Sequence, residues 1–203
     1  MKLEVFESSI DSTKVDRIVT ELKAGELVIV PTDSVYSVCC SLDKPKALEK
    51  LAKIKGLKPN QAKFSMMCAS ISEADKYAKH IDSQVFRLIK ANTPGPFTFI
   101  LKASTEVPKL FNAKRKEIGI RIPDNNITQA VIEALGCPLV GTSVHDEDDI
   151  IEYTTNPDDI YEKWQEHIGA MLDGGYGNNK ATTVIDCTEG EPVVVREGLG
   201  EIQ

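Results

Sequence analysis

An amphipathic helix that runs through one glycine straight into a buried strand sets the fold class of this chain. Val15, Ile18, Val19 and Leu22 recur at i, i+3, i+4 and i+7 behind a cap at Asp11 or Ser12, and Gly25 closes the helix. The apolar run Leu27-Val28-Ile29-Val30 follows, and Pro31 stops it, because proline cannot extend a strand ladder. Thr32-Asp33-Ser34-Val35-Tyr36 then places hydroxyls and a carboxylate at the carboxyl end of a strand. Open α/β sheets bind their ligands there, so a small polar ligand is expected beside this segment.

The rest of the chain keeps the same alternation. Helices are expected over 44–54, near 72–78 and 83–90, over 127–135, and over 157–164 behind Asn156. Strands are expected at 1–6, 36–40, 64–68, 97–102, 118–122, 138–142, 170–172, 182–187 and 192–195. The late strands lie too close together for helical crossovers, so the sheet is mixed. The expected fold is α/β, a twisted open mixed sheet with helices on its faces. With 203 residues, 41% of them hydrophobic, residues 1–203 read as a single domain with one sizeable core.

No apolar run is long enough to span a bilayer, and the start lacks the apolar core of a signal peptide. Cys39, Cys40, Cys68, Cys137 and Cys187 form no CxxC pair and are odd in number, which predicts buried thiols in a reducing cytoplasm. His80, His145 and His167 show no ligand spacing with them, so no metal ligands are expected from the protein. The net charge of −7 argues against a surface that attracts nucleic acid as a whole, yet the charge is segregated. Residues 44–63 carry seven lysines against one acid, and residues 146–173 carry ten acids against one lysine. One side suited to phosphates is the consequence; solvated helix faces are the alternative.

Common catalytic loops do not account for the chain. Gly174-Gly175-Tyr176-Gly177-Asn178-Asn179-Lys180 lacks the Gly-Lys-Ser/Thr ending of a P-loop, and no GxGxxG fingerprint occurs. Ser143 and His145 lack the third member and oxyanion hole of a hydrolytic triad. What remains is a distributed set: Pro31–Tyr36, Lys55-Gly56, Pro94-Gly95-Pro96-Phe97-Thr98, Gly119-Ile120-Arg121-Ile122-Pro123, Gly141-Thr142-Ser143, Thr182-Thr183-Val184-Ile185-Asp186 and Val195-Arg196-Glu197-Gly198. Arg121 and Arg196 each follow or interrupt apolar strand residues. A charge in that setting pairs either with a carboxylate, here Asp33 or Asp186, or with a ligand's anion.

In this order the set resembles the YrdC/YciO superfamily, over about residues 26–202. Its central members are threonylcarbamoyl-AMP synthases. The resemblance implies a basic concave face on the sheet and condensation of L-threonine, bicarbonate and ATP to threonylcarbamoyl-adenylate and pyrophosphate, with Mg²⁺ accompanying ATP. The product feeds threonylcarbamoyladenosine modification of tRNA, which implies downstream tRNA-modification proteins as partners. Carried over by position, Thr32, Arg121 and Thr182 would contact threonine, Tyr36 would help wall the pocket, and Lys55, Lys58, Thr142, Ser143 and Arg196 would face ATP. Lys55 and Arg121 would carry the catalytic charge. Such chemistry needs positioned anions and charge stabilisation on phosphorus oxygens rather than a covalent enzyme intermediate.

Three positions depart from that pattern. Lys55-Gly56-Leu57-Lys58-Pro59 has leucine where the family has an arginine, and Lys58 restores the charge without the bidentate fork. His145 replaces an asparagine, and Cys68 stands where synthases often have a histidine. These changes match the YciO branch. They add two further readings: a paralogue that binds nucleotide or double-stranded RNA with weak or no synthase activity, and a related carbamoyl-adenylate-forming enzyme.

Overall fold

The computed structural model describes residues 1–57, 64–107, 117–145 and 153–203. Lys58, the rest of the lysine-rich stretch up to residue 63 and the acidic run at 146–149 therefore lie outside the described residues. The first half contains β1 (Lys2–Glu4), α1 (Ser12–Ala24), β2 (Val28–Val30), β3 (Ser37–Ser41), α2 (Pro45–Ile54), β4 (Ser65–Met67), α3 (Ile71–Asp75) and α4 (Ser83–Asn92). The second contains β5 (Phe97–Lys102), β6 (Glu117–Arg121), α5 (Asn126–Leu135), β7 (Leu139–Ser143), α6 (Pro157–Trp164), β8 (Ala170–Asp173), β9 (Thr183–Asp186) and β10 (Val193–Arg196).

The ten strands form one sheet in the order β1-β8-β2-β3-β7-β4-β6-β5-β9-β10. It is mixed: β1–β8, β2–β8, β4–β6 and β5–β9 are parallel, and the remaining neighbours are antiparallel. Helix α1 begins with the Asp11 carboxylate accepting the Thr13 N–H, and ends at Gly25 with φ 85°, a left-handed turn that favours glycine. Its cap is worth about 1 kcal/mol. Burial of Val15, Ile18, Val19 and Leu22 is worth roughly 2 kcal/mol each. Packing, not capping, therefore decides that this helix persists.

Two apolar layers flank the sheet. One joins α1 and α5 to Val28, Val30, Cys39, Met67, Leu139, Ala170 and Leu172. The other joins α2, α3, α4 and α6 to Ile29, Val38, Cys40, Met66, Phe97, Phe99, Ile120 and Ile185. Alternate strand residues enter opposite layers, as a period of two requires.

The helix expected near 72–78 stops at Asp75. The chain beyond it is captured by the end of β5: Ala78 bridges Ala103, Lys79 N–H donates to Lys102 C=O at 2.7 Å, and Ser104 N–H donates to Tyr77 C=O at 2.8 Å. Pairing across the fold overrides the local helical pattern. Among the described residues no helix is long and apolar enough to cross a membrane.

The cysteines separate by depth. Cys39, Cys40 and Cys68 are fully buried, and burial pushes the Cys39 thiol up to about 12. Cys68 sits in the apolar layer with α2 to α4, its thiol pushed far up by burial. Cys137 and Cys187 are partly exposed, and burial raises the latter to about 11. Iodoacetamide at neutral pH is expected to modify Cys137 first and Cys187 slowly. The other three should react only after denaturation. Mass spectrometry of the native protein checks this; rapid labelling of Cys39 or Cys68 would contradict the burial.

Candidate functional site

The layer of α1 and α5 covers only part of its face. Paired residues run across the sheet in the row Val28, Cys39, Gly141, Ser65, Gly119, Ile100 and Asp186. Up to Cys39 and Gly141 this row is buried, while Ser65, Gly119, Ile100 and Asp186 are partly exposed. β5 reads buried and part-exposed in strict alternation, Phe97, Phe99 and Leu101 against Thr98 and Ile100. The same is true of β9, with Thr183 and Ile185 against Val184 and Asp186. The uncovered half of the face is thus floored by Ser65, Gly119 and Thr98, with Ile100, Val184 and Asp186 beside them. A Cβ on Gly119 would stand 3.3 Å from Thr98 Cγ2 and 3.6 Å from Ser65 Cβ, so the glycine keeps this floor low.

The segment Pro31–Tyr36 folds over one end of that floor. Thr32 Oγ1 donates to Val35 C=O at 2.7 Å and accepts the Ser34 N–H at 3.1 Å. Its donor is already used, so a ligand meets Thr32 as an acceptor. Arg121 projects from β6 beneath this turn. Its NH2 donates to Asp33 Oδ1 at 2.7 Å and Ser34 Oγ at 3.2 Å, with Thr32 Oγ1 at 3.5 Å. The second oxygen of Asp33 accepts the Asp124 N–H at 3.0 Å. Arg121 is 5% exposed, and its Nε is buried with no hydrogen-bond partner among the described residues. Burial pushes the Arg121 pKa down and Asp33 holds it up; Arg196 adds a repulsion. Guanidinium stays charged throughout. A buried N–H left without an acceptor invites one from a ligand.

Arg196, at the end of β10, forms the second cluster. Its Nε and NH2 donate to Thr182 C=O at 3.1 and 2.9 Å, and NH2 reaches Thr182 Oγ1 at 3.1 Å. Thr182 Oγ1 lies 2.9 Å from Thr98 Oγ1. One residue on from the Phe99–Ile120 pair, Thr98 falls beside Arg121. The two guanidinium clusters therefore share one floor.

The remaining residues named from sequence fall elsewhere. Ser143 pairs with Ser37 at the open end of β7, and Thr142 alternates to the other face. Tyr36 is buried in the helical layer, where its hydroxyl donates to Gly175 C=O at 2.6 Å and accepts the Gly174 N–H. Asn178 N–H donates to Ser34 C=O, so the glycine-rich turn braces Pro31–Tyr36. Lys55, after α2, holds its Nζ 5.7 Å from the centroid of Trp164, which packs against the layer opposite Arg121. Leu57 is 43% exposed. His145 is exposed and set edge-on against Tyr153. Among the described residues no group of three or more His, Cys, Asp or Glu is placed to hold a metal ion.

Sequence reasoning quoted Ser34, Thr98 and Gly119 without giving them individual roles, and missed Ser65. Alternation in Phe97-Thr98-Phe99 was the available signal: it sends Thr98 to the face opposite two buried rings.

A family model named Sua5_yciO_yrdC, described as Telomere recombination, matches residues 20–198. The chain is 40% identical over 191 residues to the Escherichia coli (strain K12) protein named Uncharacterized protein YciO, covering 93% of this chain and 91% of that one. The crystal structure of E. coli YciO superposes with a TM-score of 0.90, covering 99% of this chain and 97% of that chain. A threonylcarbamoyl-AMP synthase of Vibrio campbellii is 27% identical over 190 residues, 90% of this chain and 98% of that one. The P. abyssi Sua5 structure complexed with L-threonine has a TM-score of 0.87 at 26% identity, over 98% of this chain and 57% of that chain.

Proposed function

Because the chain belongs to the Sua5–YciO–YrdC family, we propose that it condenses L-threonine, bicarbonate and ATP to threonylcarbamoyl-adenylate and pyrophosphate. The observation that carries this reading is the convergence of Arg121 and Arg196 on one hydroxyl-lined floor. Two like charges sharing a floor, one with an unmatched N–H, suit a ligand with two anionic groups. The relative crystallised with L-threonine supports an amino acid as one of these.

In this mechanism the carbamate of threonine attacks the α-phosphorus of ATP, and pyrophosphate leaves. Arg121 holds the threonine carboxylate, and Thr32, as an acceptor, and Thr182 contact the rest of the amino acid. Arg196 and Ser143 face the nucleotide, while Thr142 and Lys55 belong to the other face of the sheet. Mg²⁺ would arrive on the triphosphate and neutralise its charge there. The protein's work is orientation and charge stabilisation. The product would pass to tRNA-modification proteins.

The second reading, a nucleotide- or double-stranded-RNA-binding paralogue with weak turnover, is favoured by Leu57 standing exposed where the family has a guanidinium, and by Lys55 resting on Trp164. On α2, Lys46 and Lys53 are exposed, while Lys50 is paired with Glu26 at 2.5 Å. Pyrophosphate release from Mg-ATP, with and without threonine and bicarbonate, separates the two. Release requiring both is expected. ATP binding without such release would sink the synthase and favour the paralogue. Leu57→Arg is expected to raise turnover about tenfold, the scale of one charge-assisted hydrogen bond. A fall would show that the loop has been rebuilt around other contacts.

A further inference from the structure

Arg196 does not place itself. It follows a register shift between Val194 and Arg196 on the outermost strand, is exposed, and hydrogen-bonds only Thr182 among the described residues. The chain after it is held firmly. Gly198 N–H donates to Thr183 Oγ1 at 3.0 Å, and Thr183 Oγ1 donates to Gly200 C=O at 2.7 Å. Leu199 N–H donates to Ala181 C=O at 2.8 Å, and Gln203 N–H to Asn92 Oδ1 at 2.9 Å. The approach is close enough to require glycine. A Cβ on Gly198 would lie 2.2 Å from the carbonyl carbon of Thr182, and one on Gly200 would lie 2.5 Å from Cζ of Phe97.

Thr182 and Thr183 divide the work. Thr182 faces Thr98 and Arg196 on the floor. Thr183 is 3% exposed, and its hydroxyl has its donor and one acceptor position filled by the terminal segment. We propose that Thr183 is a positioning residue: by fastening Gly198 and Gly200 it sets the guanidinium of Arg196 over Thr182. The hydroxyl is the fastener, the glycines allow the contact, and Arg196 is the group placed. The effect on ATP rests on the function proposed above; the placement of Arg196 does not.

The test uses the full chain labelled with ¹⁵N. Thr183→Val keeps the shape and removes the hydroxyl. Its Arg196 Nε–H is expected to exchange with solvent about tenfold faster than in the parent, as local opening does. ATP affinity should fall about tenfold, the scale of one charge-assisted hydrogen bond. Thr183→Ser should restore both. If Thr183→Val does not fold, Gly200→Ala is measured instead; its methyl group pushes the segment off Thr183 from the Phe97 side, and the same faster exchange is expected. Unchanged Arg196 Nε–H exchange in the folded variant overturns the proposal, as does failure of serine to restore it. A parent protein that binds no ATP, yet whose Arg196 exchange responds as expected, overturns the synthase reading and upholds this one.

Discussion

Arg121→Met is expected to lose about 3–5 kcal/mol of stability and to abolish threonine-dependent pyrophosphate release. The stability loss follows from Asp33. Its side chain is 7% exposed and pairs with Arg121 at 2.7 Å. Without the guanidinium it becomes a buried carboxylate whose remaining hydrogen bond among the described residues is from the Asp124 N–H, a situation that costs about that much. Adding Asp33→Asn removes the stranded charge while the amide oxygen keeps the Asp124 N–H. The double variant should therefore regain most of the stability in urea titration. Turnover should stay lost by roughly a hundredfold or more, because a buried charged pair to the ligand is gone. If the double variant regained threonine-dependent release along with its stability, Arg121 would be a structural ion-pair member only.

Gly119→Val separates site from scaffold in the opposite direction. Gly119 lies in the middle of β6, and valine suits a strand better than glycine. Its Cβ needs Thr98 Cγ2 to give by a few tenths of an ångström. The melting temperature should move by only a few degrees. The branched side chain would stand on the floor between Ser65 and Thr98, so ATP and threonine affinity should fall by more than about tenfold. Full activity in a folded Gly119→Val protein would mean that the ligand does not use this face. By contrast, Gly141→Val is a poor probe: its Cβ would meet Cys39 Sγ at 2.7 Å and Val38 C=O at 2.8 Å, so it disturbs the core itself.

Much of the scaffold was legible because its signals are local. Asp11 and Gly25 bracket α1, Asn156 caps α6, and the boundaries of β5 and α6 fall where sequence put them. These features depend on hydrogen bonds and periodicities within a few residues. The helix near 72–78 was read too long because Tyr77 and Ala78 answer to Ala103 and Ser104, more than twenty residues away. Cys68 stands, by motif order, where synthases often have a histidine. Strand alternation instead turns it into the layer of α2 to α4, away from Arg121.

The site divides along the same line. Sequence alone determined the family pattern, the α/β class, the short strand ending at Pro31, and Thr32, Arg121, Thr182 and Arg196 as candidate ligand contacts. Those follow from residue type and order. Only the tertiary structure decided that Arg121 spends NH2 on Asp33 and leaves Nε bare, that Lys55 turns to Trp164, and that Thr98 and Gly119 floor the site. Only it decided that Thr183 fastens the chain behind Arg196. Arg121 and Asp33 are separated by 88 residues, and Thr98 and Thr182 by 84. Which hydroxyl meets which guanidinium across such separations is fixed by strand order and register, which the packing of the whole sheet selects.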